Sequence, residues 1–458
     1  MWKGVIADPT FQNTPAGAWV VGAGLLKPGA AGGKDPGLLE IGGATCTSGV
    51  GARQTVTMPP LELAEPLALE VSGLASCQVD GGDPPVPQDT PCDRPVVLGV
   101  GPRAFEPFPA LDRTPQTSRQ CLGDRSFGKA IEITFSAATC SSVSTAIDRA
   151  EIVPAPECPL PGQVFNGDFE GAGGWKADSA TGIAEVASGV GNGSTRGGRL
   201  KTTASCQGPQ LRGSLSVPFA LPRPALTFTA RGNTGRRLRV FAADALVGVV
   251  TGSNVFETAT ICLPDFLKGQ SASLAFAGGG DRRAPCPNTD DYEFVFDDIA
   301  VKSDPSCPEE AKIVDGSFER PDADRYWFAN VDAGATATFP KTGGADGPGF
   351  LVLNHTQCQR SSSVAGTVTI PEAMPGSGGP RLSFRYRATA SNNTFYSGPS
   401  GLLAPAVTWT ETKTCLPPRY AGAPYPVSFG LSSGSNCQAS QLAVDAVAVG
   451  RDPACPEQ

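Results

Sequence analysis

At 458 residues, with 56 Gly, 43 Pro, 40% hydrophobic and only 17% charged residues, the chain is too long for one ordinary domain and too apolar to be disordered. A net charge of −8 argues against nucleic acid as a partner. One His and three Met beside fourteen Cys make a poor set for cytosolic catalysis, whereas an even cysteine count suits oxidised, exported domains.

No apolar run approaches the roughly 18 residues of a membrane span, so no membrane span is expected. Met1-Trp2-Lys3 does not lead into a signal-peptide core. The expectation is a secreted or cell-surface (extracytoplasmic) protein, its signal peptide absent from this numbering.

In chain order the same elements come three times. The first copy opens on Phe11 and Trp19, runs through a strand ending at Pro59 and an alternating strand at 67–71, and closes on a strand at 146–153 before Cys158-Pro159. The second opens on Asn166-Gly167-Asp168-Phe169-Glu170 and Trp175, repeats the two strands at 214–218 and 226–230, and closes at 292–301 before Cys307-Pro308. The third opens on Asp315-Gly316-Ser317-Phe318-Glu319 and Trp327, repeats them at 367–371 and 382–386, and closes at 442–449 before Cys455-Pro456. Each closing segment sets apolar residues around one Asp and stops at a proline turn, the pattern of a largely buried strand. No segment shows a helical period.

Four cysteines keep register in each copy: Cys46, Cys121, Cys140 and Cys158; Cys206, Cys262, Cys286 and Cys307; Cys358, Cys415, Cys437 and Cys455. The surplus in the first copy holds Cys77, a Pro-rich stretch and Cys92, which reads as an inserted loop at 77–92 with its own staple. Short strands parted by Gly, Pro, Asn and Asp predict an all-β chain of three tandem disulfide-stapled β-sandwich domains, at 1–158, 159–307 and 308–458. The chain reverses at each turn, so an even number of intervening strands returns it to the same end of a sandwich. On that parity Cys206 pairs with Cys286 and Cys262 with Cys307. The closing strand, at about 3.3 Å per residue, keeps Cys286 from Cys307. The same pattern gives Cys46–Cys140 with Cys121–Cys158, Cys358–Cys437 with Cys415–Cys455, and Cys77–Cys92 across the inserted loop.

The opening motif 166–170, Trp175 shortly after it, and the closing Phe296-Asp297-Asp298-Ile299-Ala300-Val301 resemble the carbohydrate-binding-module jelly rolls of the galactose-binding-like group. The resemblance spans nearly the whole chain, close in the second copy, good in the third, and departing in the first, where Gln12 replaces the motif's Glu. It implies that the three sandwiches are jelly-roll domains. It also implies a structural calcium between opening Glu and closing Asp, which nominates Glu170 with Asp297 and Glu319 with Asp445, with Asp346 as a further ligand in the third copy. A hard cation takes carboxylate and carbonyl oxygens and would clamp the first and last strands together. In the alternative, these carboxylates cap turns and accept backbone hydrogen bonds.

The recurrent Trp19, Trp175 and Trp327 read as core anchors, because packing repeats with the fold. Aromatics that do not recur make better sugar platforms: Tyr386, Tyr396, Trp409, Tyr420 and Tyr425 in the third copy, with Phe395 beside them. Arg231, Arg236, Arg237 and Arg239 surround a turn that reads first as a solvated hairpin and second as a grip on an acidic polysaccharide or phosphate. His355 stands without a Gly-x-Ser-x-Gly or His-Glu-x-x-His context and reads as incidental. Glycosidase chemistry needs only two carboxylates, yet the recurrent ones fall at strand edges and not in a cleft, so no enzyme is expected. The functional expectation is a non-catalytic binding or adhesion protein whose partner is a polysaccharide or cell-surface glycan. The alternative is a structural subunit of an extracellular filament, coat or matrix, whose partner is copies of itself.

Overall fold

A computed structural model describes residues 6, 19–21, 39–42, 49–60, 66–77, 96–100, 103–105, 116–137, 143–178, 182–202, 208–278, 292–332, 334–356, 361–372, 374, 376–389, 394–398, 400–432 and 439–457. The chain divides into two compact units, residues 1–159 with 269–271, and residues 160–268 with 272–458.

The first unit pairs a five-stranded sheet, containing Gly49–Thr57 and Ala130–Ala137, with a four-stranded sheet in which the closing strand Val143–Pro154 lies between Leu39–Gly42 and Leu67–Cys77. Its core gathers Trp19, Leu69, Val71, Ile133, Phe135 and Ile147, with Trp19 and Phe135 at 5.6 Å between ring centres.

The second unit holds two sandwiches of two five-stranded antiparallel sheets each. In the first of these, the closing strand Tyr292–Ser303 lies between Arg196–Thr202 and Pro224–Gly232, with Ile183–Ser188 and Glu257–Cys262 at the edges. In the other, Ser440–Asp452 lies between Leu351–His355 and Gly379–Thr389, with Ala335–Thr338 and Ala406–Cys415 at the edges. One continuous apolar core runs through both sandwiches. At their junction the Cys262 amide donates to the Tyr326 hydroxyl (3.2 Å), the Arg325 guanidinium to the Thr260 carbonyl (2.6 Å), and the Ala311 amide to the Asp265 carboxylate (2.9 Å). The described elements are strands and four short 3-10 turns, as alternating apolar patterns dictate.

Three disulfides tie the closing strands: Cys121–Cys158, Cys262–Cys307 and Cys415–Cys455, with Cα separations of 5.6, 5.3 and 5.4 Å. These are three of the pairs that strand parity gives. The expected Cys46–Cys140, Cys206–Cys286, Cys358–Cys437 and Cys77–Cys92 pairs involve residues outside the described set.

The opening motif has a steric reason. A Cβ on Gly167 would lie 2.2 Å from the Ile299 carbonyl oxygen, and one on Gly316 would lie 2.1 Å from that of Val447. Each glycine's own carbonyl accepts from the same residue of the closing strand, at 2.9 Å in both sandwiches. Asn166 and Asp315 then take positive φ (51° and 59°), as do Phe169 and Phe318 (59° and 56°), whose rings are fully buried. The motif is therefore a tight turn pressed against the last strand, and only glycine fits at the point of contact.

Candidate functional site

Two surfaces gather the residues that the sequence singles out. The first is the carboxylate clasp beside the opening motif. Asp297 and Asp445 are wholly buried. Oδ1 of Asp297 accepts the Asp298 amide (2.8 Å), while its Oδ2 accepts the Asn192 amide (2.8 Å) and the Ser194 hydroxyl. Asp445 repeats the scheme, accepting the amides of Ala446 (2.6 Å), Ala345 (2.6 Å) and Asp346 (3.1 Å). Asp298 and Ala446 both stand at positive φ (54° and 53°), and the pairing of the neighbouring strand shifts register there, so each Asp sits at a β-bulge that turns it toward the loop.

Glu170 and Glu319 reach the same loops from the opening side. Glu170 accepts from the Thr195 hydroxyl and the Arg196 amide (2.9 Å), which hold its carboxyl below the usual carboxylate range, the hydroxyl contributing most. Glu319 accepts the Gly349 amide at 2.9 Å.

The donor set decides how a calcium ion would fit. Calcium takes oxygens at its own face, whereas what surrounds Asp297 and Asp445 is a ring of N–H groups with one hydroxyl, their positive ends toward the carboxylate. As arranged, the residues fit a hydrogen-bonded clasp, and a cation would have to displace those donors. Among the described residues no cluster of three or more His, Cys, Asp and Glu could hold a metal. Asp346 meets the clasp through its amide.

The second surface is the outer face of the closing-strand sheet in the third sandwich. Alternation sends Leu351, Leu353, Leu442, Val444 and Phe384 into the core and leaves Val352 and Ala443 on the opposite side. There they form a small apolar floor with Phe350 and the half-buried Trp409. The Trp409 ring meets Phe350 edge-on at 5.8 Å, and the Arg387 guanidinium lies 4.9 Å from the Trp409 ring centre and 5.4 Å from that of Phe350. Cross-strand register puts Asn354, Gln441, Thr336 and Thr338 on the same face, and the Gln441 amide donates to Asn354 Oδ1 at 2.9 Å.

The other expected platform rings go elsewhere. Tyr386 is only 5% exposed, because it continues the inward alternation of Leu382 and Phe384, so its ring is core and not platform. Tyr396 lies on the other sheet, its ring over Gly430, where a Cβ would stand 1.9 Å from Cζ. Phe395 is buried. Tyr420 and Tyr425 form an edge-on pair at 5.3 Å at a third location. The expected set is thus scattered, with Trp409 alone on the open face just described.

Trp19 and Trp327 are core anchors, 5% and 1% exposed, and Trp175 is half-buried against Phe169 at 4.9 Å. His355 is 1% exposed, with Nε2 at 2.7 Å from the Ser362 hydroxyl, and burial lowers its pKa.

The arrangement on the outer face recurs in the second sandwich, which sequence comparison alone does not reveal. Arg231 is opposite Val295 as Arg387 is opposite Ala443, and the Arg231 guanidinium lies 5.0 Å from the ring of Phe256. Phe256 and Trp409 each directly precede the partner of the residue before the arginine: Glu257 for Ala230, Thr410 for Tyr386. In the first copy Leu74 holds the arginine's register position, opposite Ala146.

No family model and no curated protein matches the sequence. The chain is similar to the CBM22-1–CBM22-2 tandem domain of Xyn10C from Paenibacillus barcinonensis, at 16% identity over 66% of this chain and 98% of that one, with a TM-score of 0.25. It is also similar to TmCBM61, solved with β-1,4-galactotriose, at 10% identity over 31% of this chain and 98% of that one (TM-score 0.23). A third likeness is to the glycoside hydrolase domain of Endo-D from Streptococcus pneumoniae R6, at 12% identity over 62% of this chain and 38% of that one (TM-score 0.22). Scores this low say nothing about which residues meet a ligand. Among the described residues no helix is long and apolar enough to cross a membrane.

Proposed function

We propose that the protein is a non-catalytic, extracytoplasmic polysaccharide-binding protein that attaches through the outer face of the closing-strand sheet in its third sandwich. The observation that supports this is the half-buried Trp409 ring on an open sheet face, over an apolar floor and beside Asn354, Gln441, Thr336 and Thr338. A sugar ring has an apolar face that stacks on an aromatic ring and a rim of hydroxyls that exchange hydrogen bonds with amides and hydroxyls. Glycan-array screening of the whole chain followed by Trp409→Ala tests the reading. The expected outcome is a loss of at least about tenfold in affinity, the scale of one stacked ring in a binding site. An unchanged affinity for every glycan that binds overturns it.

A second reading, self-assembly into a filament, coat or matrix, has one observation in its favour. Val249 is 4% exposed beside Asp322, Asp324 and Arg325 of the third copy, while Leu402, at the same register position one sandwich later, is 76% exposed, with Val407 at 81%. A further copy of the chain laid over Leu402 and Val407 would bury them. Sedimentation velocity and negative-stain microscopy separate the two: a species that stays monomeric at every concentration excludes assembly.

A further inference from the structure

Arg387 and Arg231 are the unexpected parts of the outer faces. Each guanidinium lies on an aromatic ring, at 4.9 Å from Trp409 and 5.0 Å from Phe256, and neither has a hydrogen-bond or ion-pair partner among the described residues. Arg387 is half-buried, and its Nε is buried with nothing to accept from it. Other arginines close by are used differently. Arg199, on the same face as Arg231, is bridged to Glu293 at 3.0 Å and Glu185 at 3.7 Å, and Arg385 donates to the Ala345 carbonyl at 3.2 Å.

A guanidinium lying over a ring loses rotamer freedom before any ligand arrives, and the terminal Nη groups of Arg387 and Arg231 have no acceptor among the described residues. The forked N–H edge of a guanidinium matches the two oxygens of a carboxylate, or two oxygens of a sulfate. The ring beside it matches the apolar face of a sugar. In a chain of net charge −8, overall attraction does not draw an anionic polymer in, so any preference for one must come from local pairs.

We propose that Arg387 on Trp409 and Arg231 on Phe256 are two subsites for an acidic sugar, and that the polysaccharide held by the protein is anionic. The inference rests on the reading of this face as glycan-binding and adds the chemical class of the glycan. The first copy carries Leu74, not an arginine, at that register position.

Affinity electrophoresis of the full chain in gels containing polygalacturonate, its methyl ester, dextran sulfate or dextran tests it. Polygalacturonate is expected to retard the protein at least about tenfold more strongly than its ester, since esterification removes the oxyanion that the fork receives. R231Q/R387Q should lose that preference, R387K should lose part of it, and R236Q/R237Q, with the same loss of charge on the adjacent turn, should keep it. Retardation by dextran sulfate and not by dextran, with polygalacturonate inactive, supports the oxyanion subsites and assigns sulfate as the anion. Equal retardation by acid and ester, unchanged in R231Q/R387Q, overturns the inference and leaves polysaccharide binding standing. Equal loss in R236Q/R237Q overturns the paired subsites in favour of diffuse charge. No retardation of the wild-type chain in any of the four gels, with no hit on the glycan array, overturns both proposals.

Discussion

In the second sandwich Arg199 stands bridged between Glu185 and Glu293, while at the same register the third sandwich has Val352, with Asn354 and Gln441 hydrogen-bonded beside it. Beneath this exchange the two sandwiches keep the same strand order, the same buried Asp at a bulge, the same glycine under the opening motif and the same disulfide. The comparison separates what the fold requires from what the face is free to vary. In the second sandwich the ion pairs of Arg199 occupy the outer face beside Arg231, which lies over Phe256 without a partner among the described residues, whereas the third presents a stacking ring with hydrogen-bonding amides around it.

The largest expected effect tests the part held in common. Asp297→Ala and Asp445→Ala each remove a buried carboxylate that accepts several part-buried donors, at about 1–3 kcal/mol per hydrogen bond to a charged group, so each variant should lose roughly 3–5 kcal/mol. Urea denaturation should show matched losses. A large loss for one and a negligible loss for the other would show that the clasps are not equivalent. Next come the staples. Cys262→Ser/Cys307→Ser and Cys415→Ser/Cys455→Ser close loops of similar separation, 45 and 40 residues, so each pair should cost about 2–4 kcal/mol by the chain-entropy account.

A smaller effect belongs to the third sandwich alone. His355 is buried and its pKa is lowered, chiefly by desolvation, with Asp332 opposing weakly. The unfolded chain therefore takes up its proton first as pH falls below about 6.5, and stability is lost from there down to the folded pKa. Thr202 holds this register position in the second sandwich. Melting temperature should fall between pH 7 and 5, and His355→Asn should flatten that part of the profile. A slope unchanged by the substitution would assign it to other groups. The smallest effect is a null. If N–H donors satisfy the clasp carboxylates, excess chelator should leave the melting temperature within about 1 °C. A clear drop would place calcium there by mass action.

Much of the fold was legible because cysteine and proline punctuate it. Cys262 and Cys307, or Cys415 and Cys455, mark strand ends, and counting reversals between them suffices to pair them. The inward course of Tyr386 was also written in the alternation of Leu382, Phe384 and Tyr386, and only the attraction of a non-recurrent tyrosine obscured it. The clasp was legible in its members but not in its chemistry. Glu170 and Asp297 are the residues a cation would use, and whether a loop turns amides or carbonyls toward them depends on backbone direction at Asn192 and Ala345, which side-chain identity does not encode. The Arg387–Trp409 and Arg231–Phe256 pairs were hidden for another reason. The partners stand 22 residues apart for Arg387 and Trp409 and 25 for Arg231 and Phe256, so no fixed spacing joins them, and a Phe in one copy does not announce a Trp in the other.

The Cys262–Cys307 bridge has a mechanical consequence. The chain leaves the second sandwich directly after Cys307, and the bridge ties that exit to an edge strand two places away in the same sheet. Under tension the 45 residues between the two cysteines cannot pay out, which withholds on the order of 150 Å of contour length at about 3.3–3.6 Å per residue. An oxidised tether of this kind extends in shorter steps than a reduced one, and single-molecule pulling with and without reductant would read the difference directly.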